Sequence, residues 1–407
     1  MSFNLNRMES YKDIGTKIVL FLISPFVSLL YSLKTLDKRS SLVVAFLFCV
    51  FFGLSFTVTN IREVGAPDGV SYRALFEDYG TVGEAVFISD AQEYFSFSGT
   101  IKDYYANTIA YVVSRVTGNY HIFFMVIATI FALFQLKTLT YLTRHKNYIS
   151  NFTCLLLVFL FTFVSIKDIN GLRFWTAYWV AIFSVFKIII DNKKQYLLLV
   201  ATLPFFHASY VVVWLLLGLY FLTGRFGKIW SILLILSLFF GNVSLAIVRD
   251  SAGYLPDFLL RFVDYYASEE VVARMSAAGS GFYLLDRIFP VLVNVYLNIM
   301  LLIIIKNKQQ SNDSRVLKLL AFTIILVSFS NFVMPVPSLG KRFMVLSYPL
   351  IAYLWLAIIG VSRYRNFLNI MPIVFFMSIY HLLNAYIQNV DPLFYISSPI
   401  VDLIRYL

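Results

Sequence analysis

About a dozen apolar stretches run along this chain, and the acidic residues between them fall almost entirely in every second gap. Clear examples are 41–58, 150–166, 229–248, 288–305 and 343–361. Each is near the length a helix needs to cross about 30 Å of hydrocarbon. Backbone amides in lipid must be satisfied within their own segment, so a succession of helices is the expected solution. The reading is an all-α, polytopic membrane protein of about 12 transmembrane helices, forming one integral domain over 1–407.

The gaps carry the orientation. One set comprises 34–40, 137–149, 187–195, 224–228, 306–318 and 361–366, and holds 17 of the 33 Lys and Arg residues. Only three of the 22 acids lie there, namely Asp37, Asp191 and Asp313. The other set, with both termini, has 16 bases and 19 acids. Short loops rich in Lys and Arg stay in the cytoplasm. The first set is therefore expected inside and the second on the periplasmic or exterior side. The net charge of +11 is thus a topology signal and does not indicate nucleic-acid binding.

The stretch 15–33 is the weakest span, because Asp13 and Lys17 intrude and Pro25 interrupts it. If it lies flat, the N-terminus is cytoplasmic. It lacks a small-residue cleavage site, so no cleavable signal peptide is expected. The stretch 195–223 is too long for one span and carries Pro204, His207 and Ser209 at its middle. It is expected to split into two helices that meet near the outer surface. Two outer segments are long, about 59–118 and 249–287. Each has an interfacial helical pattern, Ile109, Val112, Val113 and Val116 in the first and Leu255, Phe258, Leu259, Phe262 and Tyr266 in the second. The hydrophilic linker 306–318 reads as a cytoplasmic connection. Cys49 and Cys154 both lie in apolar stretches and read as small core residues.

Ionisable groups at the outer ends of spans carry the functional information. A charge costs roughly 2.5–3.5 kcal/mol at a helix centre on insertion scales and less toward the interface. Arg173 lies in Lys167-Asp168-Ile169-Asn170-Gly171-Leu172-Arg173, at the start of a span. Its fork suits a phosphate or pyrophosphate at the membrane surface; the alternative is an anchor or an ion pair with Asp168. His207 is a base, an acid or a phosphate donor, or else a hydrogen-bonded core histidine. No acid or cysteine sits at metal spacing from it. Lys341 and Arg342 follow the turn Pro335-Val336-Pro337-Ser338-Leu339-Gly340 and are ligand cations or interfacial anchors. Asp68, in Pro67-Asp68-Gly69, is a carboxylate for a sugar hydroxyl or a turn and helix-cap residue.

In order and setting, these positions resemble the EpsG family of exopolysaccharide and O-antigen polymerases, often called Wzy-type. The resemblance rests on Asp68-x-x-x-Tyr72, on Asn170-Gly-Leu-Arg-Phe-Trp-Thr-Ala177, on Phe206-His-Ala-Ser209 and on Arg342 with Tyr348. It covers roughly residues 15–380. Phe174 stands where many relatives have Gln.

The resemblance implies a metal-independent membrane glycosyltransferase, with a glycosyltransferase-C-like architecture and no cofactor. It implies transfer of a glycan from undecaprenyl pyrophosphate to another lipid-linked glycan at the outer face of the inner membrane. Its partners are the glycan donor and acceptor, the bilayer, and a chain-length regulator and flippase. Arg173, Lys341 and Arg342 are then the pyrophosphate-binding cations and Asp68 the leading base, with Glu93 and His207 in reserve. Tyr72, Asn170 and Tyr348 are sugar-contacting or supporting residues. The rival readings are an O-antigen ligase, which uses similar cations, and a lipid-linked oligosaccharide flippase, which would need charges along mid-span faces.

Overall fold

The structure is a computed structural model, and it describes residues 10–58, 68–96, 101, 103–144, 151–224, 227–240, 250, 283–336 and 339–407. Every regular element among them is helical, and β pairing is confined to one bridge between Phe56 and Val390. The segments are apolar on most faces, as helices are when they pack against protein on one side and lipid on the other.

Five helical stretches are long and apolar enough to cross a membrane: Tyr120–Thr143, Phe152–Ile190, Ile288–Gln310, Ser314–Phe332 and Leu339–Ile358. The pair Arg365–Val374 and Phe376–Gln388, bent by 56°, makes a sixth if it counts as one span. The architecture is thus all-helical with several membrane-length helices, five or six of them among the described residues. Several apolar stretches form helices of 10–17 residues, namely Arg39–Leu54, Lys194–Phe206, Ala208–Thr223 and Gly227–Ser237. At 1.5 Å per residue even the longest of these reaches only about 24 Å.

The stretch 15–33 is not one span either. Helix α1 (Tyr11–Ile23) stops at Ser24, whose backbone is extended at φ −157° and ψ 121°, and α2 (Pro25–Ser32) begins with proline at its first position. The Ser24 hydroxyl accepts the Val27 amide and donates to the Tyr395 carbonyl at 2.8 Å. α2 then folds back along α1. Ser28 Oγ donates to the Lys17 carbonyl at 2.9 Å, and the Tyr31 hydroxyl donates to Asp13 at 3.0 Å. Both ends of this hairpin emerge on the same side as the start of the next helix, α3 (Arg39–Leu54), where Lys17 meets Ser40.

α3 lies against α7 (Tyr120–Thr143) through a close approach at Gly53. A Cβ there would sit 2.4 Å from the Ala128 Cβ and 2.7 Å from the Phe124 carbonyl oxygen, so only glycine fits. Phe56 packs at a tilt on Phe124, ring centroids 4.7 Å apart, just beyond this contact. Three helices cover that end of the bundle: α4 (Asp68–Thr81), α5 (Glu84–Ser96) and α6 (Tyr105–Ser114). In α6 Val113 is buried and Val112 is 54% exposed, and Val116, just past the helix end, is 84% exposed, so one apolar edge is turned outward. The second patterned segment, Leu255 to Tyr266, lies outside the described residues. Cys49 and Cys154 are free and buried.

Candidate functional site

The site grows from a short turn. After α8 (Phe152–Phe161) a 3-10 turn, Ile166–Gly171, capped by Ser165, leads into α9 (Leu172–Val185). Asp168 is consumed inside this turn. One of its oxygens accepts the Ser165 amide at 2.8 Å, and the other accepts from Lys167. It therefore does not pair with Arg173, which is where one sequence reading had put it.

Two residues further on, the turn reaches across 101 positions to hold α4. Asn170 Oδ1 accepts the Gly69 amide at 2.9 Å and so satisfies a donor in the first turn of that helix. A Cβ on Gly69 would lie 2.5 Å from that oxygen and 2.9 Å from Val58 Cγ1. Glycine is required for the contact. Asp68, the first residue of α4, is exposed and sits beside this joint. Its Oδ2 is 3.9 Å from where a Gly171 Cβ would be, and the Trp175 indole is 3.0 Å from the same point. Among the described residues the Asp68 carboxylate accepts no hydrogen bond, so it does not cap its own helix there.

Arg173 lies in the first turn of α9, where the helix dipole already presents positive charge. A cation in that place needs a counter-charge, and Asp103 supplies it. Arg173 Nη1 donates to Asp103 Oδ1 at 2.9 Å, and Nε donates to the Tyr72 hydroxyl at 2.9 Å. Burial pushes the Tyr72 hydroxyl up to about 12, so it stays protonated. Asp103 is almost fully buried while the Arg173 side chain is 39% exposed. The Nη2 group is left without a protein partner among the described residues. Its five N–H donors are thus partly spent on fixing its pose and partly open.

His207 ends the helix Leu203–Phe206 in an extended conformation, φ −160° and ψ 123°, and the chain restarts as a 3-10 turn at Ala208. Its Nδ1 accepts the Ser209 amide at 3.3 Å and contacts Ser209 Oγ at 2.8 Å. An acceptor Nδ1 places the ring proton on Nε2, which makes that nitrogen a donor. Burial, with the Arg173 and Arg342 guanidiniums nearby, holds the imidazole down at about 3. The ring is therefore neutral across the physiological range.

Phe174 is the hub between the cations. The His207 ring meets it edge-on at 5.2 Å, and the Arg342 guanidinium lies 5.1 Å from its centroid. Tyr210, three residues after His207, packs on it at 5.0 Å and donates a hydrogen bond to its carbonyl at 3.0 Å. Arg342 is in the first turn of the helix Leu339–Ile358 and has no carboxylate partner among the described residues. The approach is set by Gly340, where a Cβ would fall 2.3 Å from Met334 Cα. Two helix N-termini, two guanidiniums and one neutral N–H thus converge, with Asp103 as the buried counter-charge. Such a field favours an anion.

Other sequence-chosen residues lie elsewhere or do other work. Lys341 is exposed and has no ion pair among the described residues. Tyr348 is buried against Phe163 and Phe375, at 5.1 and 6.0 Å, inside the helix core. Glu93 on α5 accepts the Ile101 amide at 3.2 Å, which braces the chain leading to Asp103. Asp103 itself was missed. Its only sequence cue is an acid just before the aromatic pair Tyr104-Tyr105, and nothing local links it to a residue 70 positions away. The segment is further tied to the histidine loop, since the Tyr104 amide donates to the Phe205 carbonyl at 3.0 Å. Among the described residues no three His, Cys, Asp or Glu side chains gather at metal-ligating range.

A family model described as the EpsG family matches residues 44–396, nearly the whole chain. No curated protein gives a significant match, and neither does any solved structure.

Proposed function

The chain belongs to the EpsG family, and from that premise we propose that it is a membrane polymerase joining glycan repeat units carried on undecaprenyl pyrophosphate, working at the outer face of the inner membrane in exopolysaccharide or O-antigen synthesis. The alternating charge of the loops supports this orientation, and the proposed architecture is a glycosyltransferase-C-like fold with about twelve passes. The observation that carries the reading is the convergence of Arg173, Arg342 and neutral His207 around Phe174, beside a carboxylate, Asp68, that has no partner among the described residues.

The reaction needs little more than this set. An acceptor sugar hydroxyl attacks the anomeric carbon of the donor glycan, the bond from that carbon to the pyrophosphate oxygen breaks, and the electron pair leaves with the pyrophosphate. Arg173 and Arg342, with Lys341 at the rim, stabilise the charge that develops on the departing group. His207 Nε2–H adds a neutral donor that needs no proton from solvent. Asp68 takes the acceptor proton as general base. Tyr72 and Asn170 hold Arg173 and α4 in place, and Trp175 offers a sugar-stacking face beside Asp68. Cations replace a metal here because pyrophosphate is already a good leaving group. Holding acceptor, base and donor in one small volume supplies the remaining acceleration.

The test uses purified protein and a lipid-linked repeat unit. Wild type is expected to build a ladder. Asp68→Asn is expected to abolish it while donor binding stays within a few-fold, because the shape remains and the proton acceptor is gone. A wild-type ladder from Asp68→Asn at equal protein level refutes the assignment of the base.

A further inference from the structure

At the other end of α3, away from this cluster, α1 and α3 leave a groove of ≈ 440 Å³ between them. That volume is in the range of small-molecule sites. Its walls are apolar, with Ile18, Phe21, Leu22, Val43 and Leu47 among them. Its polar residues, Lys17, Arg39 and Ser40, sit together at one end, where Lys17 Nζ donates to Ser40 Oγ at 2.8 Å. The Lys17 ammonium is also paired with Asp13 at 2.7 Å, so that charge is balanced. The Arg39 guanidinium is different. It is exposed and has no ionic partner among the described residues. The rim faces outward, with Ile18, Leu22 and Val43 exposed at 56%, 52% and 47%.

We propose that this groove binds an anionic phospholipid, one acyl chain lying along the apolar walls and the phosphate against Arg39. Two features select that occupant. A peptide would bring amides into walls that offer no donors or acceptors along their length, whereas an acyl chain has none to satisfy. The unpaired cation at one end matches a single negative head group, and a surface cation is worth about five-fold in affinity for an anionic lipid. α3 is 16 residues long, about 24 Å, so the head group lies one half-membrane or more from the glycan chemistry. The α1–α2 hairpin, pinned at Ser24 to the Tyr395 carbonyl, thereby gains a lipid that fills the space between it and the first helix of the bundle.

The experiment uses the full-length protein in detergent. Phosphatidylglycerol and phosphatidylcholine with identical acyl chains are added, and retained lipid is counted by native mass spectrometry. Wild type is expected to retain phosphatidylglycerol about five-fold better, with a matching rise in thermal stability. Arg39→Gln, a change at an exposed position, is expected to equalise the two lipids. Val43→Trp, which fills the groove, is expected to lower retention of both. Equal retention by wild type, or an unchanged preference in Arg39→Gln, overturns the proposal. So does full retention in Val43→Trp.

Discussion

Two ionic clusters sit near opposite ends of α9, and they solve the same problem differently. At the far end Lys187, Arg144 and Tyr141 all converge on Asp191. Lys187 Nζ donates to it at 2.9 Å, Arg144 contacts it at 3.4 Å and the Tyr141 hydroxyl donates at 2.5 Å. The two cations are also packed on rings, Arg144 over Tyr141 at 4.1 Å and Lys187 over Phe183 at 5.4 Å. At the near end Arg173 has Asp103, but among the described residues Arg342 has only the face of Phe174, and donors remain open. In the first cluster both cations share one carboxylate, and the arrangement anchors helices. The second keeps positive potential in a half-open place, which is costly unless a ligand collects it. Both pairs are cationic residues at helix ends, and only the accounting of partners separates the anchor from the candidate binding site.

The sharpest way to break this comparison is to remove one cation from each cluster. Arg173→Ala is expected to lower polymer formation about 100-fold or more, the usual loss when one transition-state donor is removed. Lys187→Ala is expected to leave activity per folded molecule within a few-fold. Polymer length on gels, normalised to protein level, reads both. A wild-type ladder from Arg173→Ala would erase the distinction.

A smaller effect is expected from geometry alone. Gly69→Ala drives a methyl into Asn170 Oδ1 and Val58, and overpacking of this kind costs about 1–3 kcal/mol. It should also detach the end of α4 that carries Asp68, so activity is expected to fall more than the melting temperature indicates. Activity that falls only in step with stability would reduce Gly69 to a packing residue.

The smallest effect is a pH dependence. His207 is held at about 3 in the folded protein against an ordinary value near 6.5. As pH drops below 6.5 the unfolded chain takes up a proton that the folded chain refuses, so stability falls with falling pH. The loss is at most about 2 kcal/mol by pH 5. His207→Gln is expected to remove this slope in thermal melts between pH 7 and 5. In the other cluster burial alone would raise Asp191, but hydrogen bonds from Tyr141 and Lys187 and the nearby cations hold it below the ordinary carboxylate range. Its contribution is present above the unfolded value of 3.8 and is lost as pH falls through the lower folded value, so the two clusters respond in different pH windows.

Much of this was legible in residues alone. Apolar runs separated by charged gaps identify helices in a bilayer, because lipid offers the backbone no partners. Short motifs pointed to Asp68, Arg173, His207 and Arg342, because charges at the ends of apolar helices are expensive and few. What the sequence could not decide was pairing. Asp168 and Asp103 are both acids near Arg173 in some sense, one by five positions of chain and the other by 70. The nearer one was the natural guess, yet the turn amide at Ser165 and Lys167 had already taken its oxygens. Span length was only partly legible: Pro25 and the run Pro204, His207 and Ser209 marked where helices break, but hydropathy alone does not say how many residues stay helical on either side. Tyr348 matched a motif and turned out to be core, because a helix face is assigned by its neighbours. Composition and periodicity are local properties and fix class and helix type. Which cation is satisfied and which is left open depends on contacts between residues far apart in the chain, and only the tertiary structure brings those together.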